Sequence, residues 1–317
     1  MDIKKLIKDN RESIKDSSLK AYLISLKKLN NNDEIKNLNY LKNKEQVFKI
    51  INEKALSTQR GYLTAILVVL QAYKKEEFDS VLKDYKEKLQ ELNNKYNETI
   101  NTHEKTDKQS KNWVSLKALA KVRNFYKHEL EEKGILQKEE LKSKEFDLLQ
   151  KYLVSSLYTL QPPIRLDYGN MKIIKSEKED NKKSNFLLIK GRNKKSFIFN
   201  DFKNKKSMGS KIIPVNTKLN SVINIWLKYN KSDNFLLNSK GEIMVENALS
   251  KYIKKVFEPT KKDITLNLLR HIYISENIDL DLMKKQKTLA DNMLHSSFNL
   301  SYCNLVRDSV AVCIFRF

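Results

Sequence analysis

One short segment, residues 186–215, interrupts a chain that otherwise has the apolar periodicity of helices. Within it, the runs at 186–190, 197–199 and 212–215 are short, apolar and separated by turn-forming residues. Runs of this kind are typical of strands joined by turns. The segment therefore predicts a small antiparallel sheet in a mainly α protein of the α+β class.

The helical parts of the chain fall into two groups. The first 92 residues contain amphipathic runs whose apolar residues recur every three or four positions. Residues 93–112 are polar and charged, with almost no large apolar side chain, which is typical of a linker. Helical periodicity resumes at residue 113. We therefore expect a helical domain at 1–92, a linker at 93–112 and a second domain at 113–317.

The charge of the chain indicates a polyanionic partner. It has 61 lysine and arginine residues against 39 acidic ones, a net charge of +22. Lysine and arginine displace counterions from phosphates, so nucleic acid is the first candidate and an anionic membrane the second. Thirteen basic and four acidic residues lie within 172–211 alone. A lysine-rich coding bias is the alternative explanation for the charge.

Nothing in the sequence predicts export or membrane insertion. The chain begins with the charged run MDIKKLIKDN, which has no apolar core of a signal peptide. The longest aliphatic run, residues 65–70, is too short to span a bilayer. Cys303 and Cys313 are the only cysteines and have no metal-ligand spacing. We expect a soluble, intracellular protein without disulfides, metal or cofactor, and leave cytoplasm or nucleus open.

Residues suited to binding phosphate follow one another in the second domain. Arg165 comes directly after the sequence QPPI, and arginine can donate two parallel hydrogen bonds to a phosphate. Asn267, Arg270 and His271 are spaced i, i+3 and i+4, which places them on one face of a predicted helix. A buried structural role for His271 is the alternative.

A lysine, a histidine and a tyrosine complete the series. Lys203 follows the strand-like run FIFNDF and precedes the loop NKKSMG, so we expect it at the mouth of a turn. Other lysines of this region compete for the same role, namely Lys195, Lys205 and Lys206. His295 opens the motif HSS, and Tyr302 follows seven residues later. A phenol is a weak nucleophile at neutral pH, and a cluster of cationic side chains assists its deprotonation.

In this order the residues resemble the catalytic set of the tyrosine recombinases, the integrase family of phages and mobile elements. The match is strongest to the versions from large DNA viruses and their parasites, and it spans about residues 113–317. In that family an arginine opens the catalytic domain and a lysine lies in a β-hairpin. A His-x-x-Arg-His segment, a Gly-His-Ser-like segment and the nucleophilic tyrosine follow. The segment STQRGYLTAI also resembles the core-binding domain of the family.

The resemblance implies a two-domain clamp on double-stranded DNA and a site-specific recombination reaction. Tyr302 would form a 3′-phosphotyrosine, without metal or ATP. Arg165, Arg270 and His295 would bind the phosphate, with Asn267 and His271 beside them, and Lys203 would act as general acid. The expected assembly is a homotetramer on paired sites and a monomer or dimer without DNA.

Three departures from the family pattern keep other functions open. Asn267 stands where the family usually has histidine, Leu294 replaces a glycine, and the spacing from His295 to Tyr302 is short. The alternatives are a type IB topoisomerase, which uses the same chemistry on one duplex, and a non-catalytic DNA-binding relative. A basic RNA-binding protein is a further alternative, although no RNA-recognition signature is present.

Overall fold

The computed structural model describes residues 1–101 and 104–293. The chain divides into two compact units, Met1–Lys105 and the part from Thr106 onward. Each has its own buried apolar core.

The described residues of the first unit form a helical bundle. Its helices are α1 (Ile3–Asn10), α2 (Asp16–Leu29), α3 (Lys44–Asn52), α4 (Leu56–Tyr73) and α5 (Asp79–Asn101). Helix α4 packs against the other four. From Tyr62 to Leu70 every residue except Thr64 is buried. A helix that is apolar on nearly all sides is stable only when surrounded, so α4 forms the centre of this bundle.

Helix α5 extends into the predicted linker. It ends at Asn101, so residues 93–101 are helical where the sequence predicts a linker. The extension is held by Arg60 of α4, which donates to the Asn93 side chain (2.7 Å) and stacks 3.9 Å from the ring centre of Tyr96. These two contacts of Arg60 thus help to keep the polar residues after position 92 helical. The assignment of this unit as the DNA-binding domain remains a prediction.

The second unit is also mainly helical in its described residues. Its helices are α6 (Asp107–Asn112), α7 (Leu116–Glu132), α8 (Ser143–Leu157), α9 (Lys205–Met208), α10 (Thr217–Tyr229), α11 (Glu246–Val256), α12 (Leu266–Asn277) and α13 (Leu280–Asn292). Helix α8 contacts α7, α10 and α11 and is therefore central to the core. Trp226 of α10 is fully buried and donates to the carbonyl of Phe235 (2.9 Å).

One four-stranded sheet packs on these helices. Its strands are β1 (Lys172–Ile174), β2 (Phe186–Gly191), β3 (Lys194–Phe199) and β4 (Lys211–Pro214), hydrogen-bonded in the order β1-β2-β3-β4. The predicted fold class, mainly α with a small sheet, is confirmed. The three predicted strands, now β2, β3 and β4, pair antiparallel as expected. The additional strand β1 pairs parallel to β2, so the sheet is mixed and not antiparallel throughout. Strand β1 has only three residues, too few to give a strand pattern in the sequence.

Aromatic packing fixes the segment between α8 and β1 against the sheet. The fully buried ring of Tyr168 lies 5.0 Å from Phe197 of β3 and 5.7 Å from Tyr158, centre to centre. The hydroxyl of Tyr168 accepts a hydrogen bond from Gln161 (2.9 Å). Edge-to-face rings pack favourably at such distances. The backbone that carries Arg165 is therefore attached to the core on both sides of that residue.

Among the described helices, none combines the length and the apolar character needed to cross a membrane.

Candidate active site

Arg165 lies in a loop that is held by hydrogen bonds to its backbone. Pro162 and Pro163 precede it and restrict the backbone there. The hydroxyl of Tyr158 donates to the carbonyl of Arg165 (3.2 Å). The Asn185 amide donates to the carbonyl of Asp167 (3.1 Å). The half-buried Arg165 side chain therefore extends from a fixed backbone.

The end of this loop makes a close backbone approach to α11. A Cβ atom at Gly169 would come within 2.8 Å of the Glu246 nitrogen and 2.9 Å of its Cα. The Gly169 N–H donates to the carbonyl of Leu166 (2.7 Å), which tightens the loop. Only glycine fits such a contact without displacing backbone. The loop is thus also fixed at the residues that follow Arg165.

Arg270 is carried by a rigid helix. The Thr265 side chain caps α12 by accepting from the Leu268 N–H (3.3 Å). Leu268, Leu269 and Ile272 bury one side of the helix in the core. Arg270 is half-buried beside that apolar side.

Asn267 and His271 lie on α12 as their spacing predicts, and both are exposed. The alternative of a buried structural histidine at position 271 is therefore wrong. The i, i+3 and i+4 pattern places the two side chains on the same part of the helix surface as Arg270.

The fold brings Arg165 and Arg270 together. Burial lowers the pKa of Arg270, the positive charge of Arg165 lowers it further, and the negative charge of Asp167 raises it. An effect of one guanidinium on the pKa of the other requires that the two charges lie near each other. Residues from a loop and from a distant helix thus form one cationic cluster, which we call the arginine pair.

The arginine pair has no counter-ion in direct contact among the described residues. Neither guanidinium forms a hydrogen bond or an ion pair with any of them. Two half-buried positive charges without a bonded partner are costly, because each loses hydration without gaining a bond. An anion with several oxygens, such as a phosphodiester, would accept hydrogen bonds from both. The arrangement therefore fits a phosphate-binding site.

Asp167 is a member of this cluster that the sequence reading missed. Burial raises the pKa of its carboxyl group, Glu246 and Asp201 raise it further, and Arg165 lowers it. Its position two residues after Arg165 was the available signal. The carboxyl group moderates the positive charge of the arginine pair.

Lys203 lies in the turn between β3 and α9, with an exposed side chain that contacts no described residue through a hydrogen bond or an ion pair. The start of this turn is bound by Asn185, whose side-chain oxygen accepts from the N–H groups of Asn200 and Asp201 (2.9 Å each). Because the same side chain also binds the carbonyl of Asp167, the turn and the Arg165 loop are tied together. No motif or periodicity in the sequence points to Asn185.

The competing lysines differ in environment. Lys195 is buried, and its ammonium group donates to the carbonyl of Arg192 (2.6 Å) and to the side chains of Asn220 (2.9 Å) and Asn224 (2.6 Å). An ammonium group has three protons, so this one has no donor to spare. Lys205 donates to the Lys182 carbonyl (3.1 Å). Lys206 is exposed, like Lys203.

The two last members of the predicted set, His295 and Tyr302, lie outside the described residues, as does Leu294. Tyr252, which the structure does describe, is a less suitable nucleophile. Burial and the neighbouring Asp147 raise the pKa of its phenol, and its hydroxyl donates to the Asp147 carboxylate (2.9 Å). Tyr252 is thus poorly suited to attack a phosphate. The part of the chain that the structure describes has no group of three acidic, histidine or cysteine side chains that could hold a metal.

Comparison with known proteins gives only distant structural likeness. No family model matches the chain, and no curated protein matches it. A solved structure, described as the crystal structure of XerA recombinase, aligns over 96% of this chain and 97% of that chain. The two are 9% identical in sequence and superpose with a TM-score of 0.34. A likeness this low assigns neither a family nor an activity to the chain.

Proposed function

We propose that this protein is a DNA strand transferase that cleaves and rejoins DNA through a covalent tyrosine intermediate, as a site-specific recombinase does. The observation that supports it most is the arginine pair, which is half-buried and has no bonded counter-ion in the part of the chain that the structure describes. Fixed positive charge at the reacting phosphate is the main catalytic device in phosphoryl transfer. The order of site residues along the chain supports the same function.

In the proposed reaction, each side chain has a separate role. The oxygen of Tyr302 attacks the phosphorus and forms a 3′-phosphotyrosine while the bond to the 5′-oxygen breaks. Arg165 and Arg270 bind the non-bridging oxygens, and His295 adds a further donor. Lys203 gives a proton to the departing 5′-oxygen as general acid. Attack of a 5′-hydroxyl on the phosphotyrosine reverses these steps and rejoins the strand.

The proposed partner is double-stranded DNA, bound mainly through its phosphates by a chain whose net charge is +22. Asn267 and His271, exposed beside Arg270, are positioned for contacts to the phosphate or its neighbours. The proposed assembly is a homotetramer on paired sites and a monomer or dimer otherwise.

Capture of a covalent adduct tests this function. The substrate is a pool of nicked duplexes with randomised sequence. Cleavage near the nick releases a short strand, and because this strand dissociates, its 5′-hydroxyl cannot religate the DNA. The protein is incubated with the pool in EDTA, denatured, and separated on a gel. We expect a DNA-linked band with wild type and none with Tyr302→Phe, and sequencing of the linked DNA reports the preferred site.

Two other results would redirect the assignment. Tight DNA binding without any adduct would contradict strand transfer and favour a non-catalytic DNA-binding protein. An adduct accompanied by relaxation of supercoiled DNA at many sites, without strand exchange between duplexes, would favour a type IB topoisomerase.

A further inference from the structure

We propose that Asn185 is a positioning residue that sets the place of Lys203 relative to the arginine pair. The inference rests on the proposed function, since it concerns how two groups act on one phosphate. It depends on a single buried side chain that binds two separate segments of backbone.

All of the hydrogen-bonding capacity of the Asn185 amide is used. The side chain is 8% exposed. Its nitrogen donates to the carbonyls of Asp167 (3.1 Å) and Asp201 (2.9 Å). Its oxygen accepts from the N–H groups of Asn200 and Asp201 (2.9 Å each). Two donors and two lone pairs are the full capacity of a carboxamide, so no other side chain of this size makes the same four bonds.

Asn185 is itself held in place by the sheet. It directly precedes β2, and its carbonyl accepts from the Lys172 N–H (3.1 Å) at the start of β1. Asn200 reaches back and donates to the Ser184 carbonyl (2.9 Å). Because the backbone of Asn185 is anchored between two strands, its side chain is a fixed reference point for the segments that it binds.

The two segments that Asn185 binds each carry a proposed catalytic group. Asp167 lies two residues after Arg165, and Asp201 lies two residues before Lys203. The Arg165 loop has further anchors in Tyr158 and Gly169. The Lys203 turn makes three of the four bonds with Asn185. Loss of the amide is therefore expected to displace Lys203 more than the arginine pair.

The consequence is specific to one step of the reaction. With the arginine pair intact, DNA still binds and its phosphate is still polarised. A displaced general acid, however, leaves the departing 5′-oxygen without a proton. A misplacement of about 1 Å can lower a rate by about 10²-fold. Replacing that oxygen by sulfur removes the requirement, because a thiolate leaves without protonation.

The test compares Asn185→Asp with a matched control. Aspartate keeps the size of the side chain and its two accepted bonds, but it has no N–H to donate to Asp167 and Asp201. Asn230→Asp is the control: Asn230 is 6% exposed, donates to the Asn234 carbonyl (2.9 Å) and accepts from the Ser232 N–H (3.0 Å) within its own turn. Thermal unfolding, DNA affinity and the rate of adduct formation are measured for both variants and wild type.

Each rate is measured on ordinary DNA and on DNA with sulfur in place of the bridging 5′-oxygen. For Asn185→Asp we expect a DNA affinity within about threefold of wild type. We expect its rate of adduct formation on ordinary DNA to fall by about 10²-fold. On the sulfur-substituted DNA, we expect that rate to recover by at least about tenfold. Asn230→Asp should lose stability while its adduct rate stays within about threefold. Should Asn185→Asp not fold, Asn185→Ser, which retains one donor and less bulk, replaces it in the same comparison.

Three results would overturn the inference. One is a wild-type rate in a folded Asn185 variant. The second is a rate loss that sulfur does not restore. The third is the same loss and rescue in Asn230→Asp. Absence of any adduct with wild type would instead contradict the proposed function, and the inference with it.

Discussion

At the scale of single residues, the arginine pair is the feature that links this structure to chemistry. Each arginine alone is unremarkable among 61 basic residues. Burial and the positive charge of Arg165 lower the pKa of Arg270, and neither arginine has a bonded carboxylate among the described residues. Half-buried charges with no bonded partner between residues 1 and 293, as far as these are described, indicate a site for an anionic ligand.

Asp167 provides a pH-dependent test of this cluster. Its folded-state pKa is raised, so the native state binds the proton more tightly than the unfolded chain. Stability from this group is therefore present at low pH and lost as the pH rises through the folded pKa. We expect Asp167→Asn to be more stable than wild type near pH 7, with the difference vanishing towards about pH 4. Urea unfolding at both pH values checks this, and a destabilised variant near pH 7 would contradict it.

Gly169 tests whether the Arg165 loop needs its close approach to α11. Gly169→Ala would place a methyl group 2.8 Å from the Glu246 nitrogen, which is backbone and cannot move aside. We expect a loss of about 1–3 kcal/mol in the free energy of unfolding, measured with urea. Gly191→Ala is the control, because a Cβ there has nothing within 4 Å. Equal stability of the two variants would show that the approach is not tight.

At the scale of elements, the β2–β3 hairpin is attached to α10 by Lys195. The ammonium group of this buried lysine bonds to the Arg192 carbonyl in the hairpin turn and to Asn220 and Asn224 on the helix. Burial lowers its pKa. The sequence suggests Lys195 as a candidate general acid. In the structure, its ammonium group instead connects the hairpin to α10.

Substitution of Lys195 and of its neighbour Lys194 distinguishes the loss of these hydrogen bonds from the loss of one positive charge. Lys195→Met leaves several buried oxygens without a donor, so we expect a loss of about 1–3 kcal/mol in unfolding free energy. Lys194 is exposed, and Lys194→Met should change stability by no more than about 0.5 kcal/mol. Urea unfolding of the two variants provides the comparison, and equal effects would refute a role for Lys195 in attaching the hairpin.

Elements with a strong apolar period were predictable from the sequence, and those formed by a few specific contacts were not. The helix that carries Asn267, Arg270 and His271 was predicted, because apolar side chains on one face dictate α12. The end of α5 was missed, since Arg60 stabilises it from another helix. For the site, sequence order selected Arg165 and Arg270. Their proximity depends on tertiary packing, which periodicity does not encode.

At the scale of the whole molecule, the chain combines a helical unit and a mixed α and β unit with a large positive charge. Charge of this size attracts DNA of any sequence and raises the rate of encounter. It cannot by itself distinguish an enzyme from a binding protein. That distinction depends on whether the arginine pair acts on one phosphate.

A double-mutant cycle on adduct formation tests this claim most directly. Wild type, Arg165→Ala, Arg270→Ala and the double variant are compared on one nicked duplex selected from the pool, at saturating protein. Side chains that act on the same phosphate are strongly non-additive. We predict that each single change lowers the rate by at least about 10²-fold and that the double change lowers it by far less than the product. Rates within about twofold of wild type for either single variant, or a double effect equal to the product, would contradict a shared phosphate site.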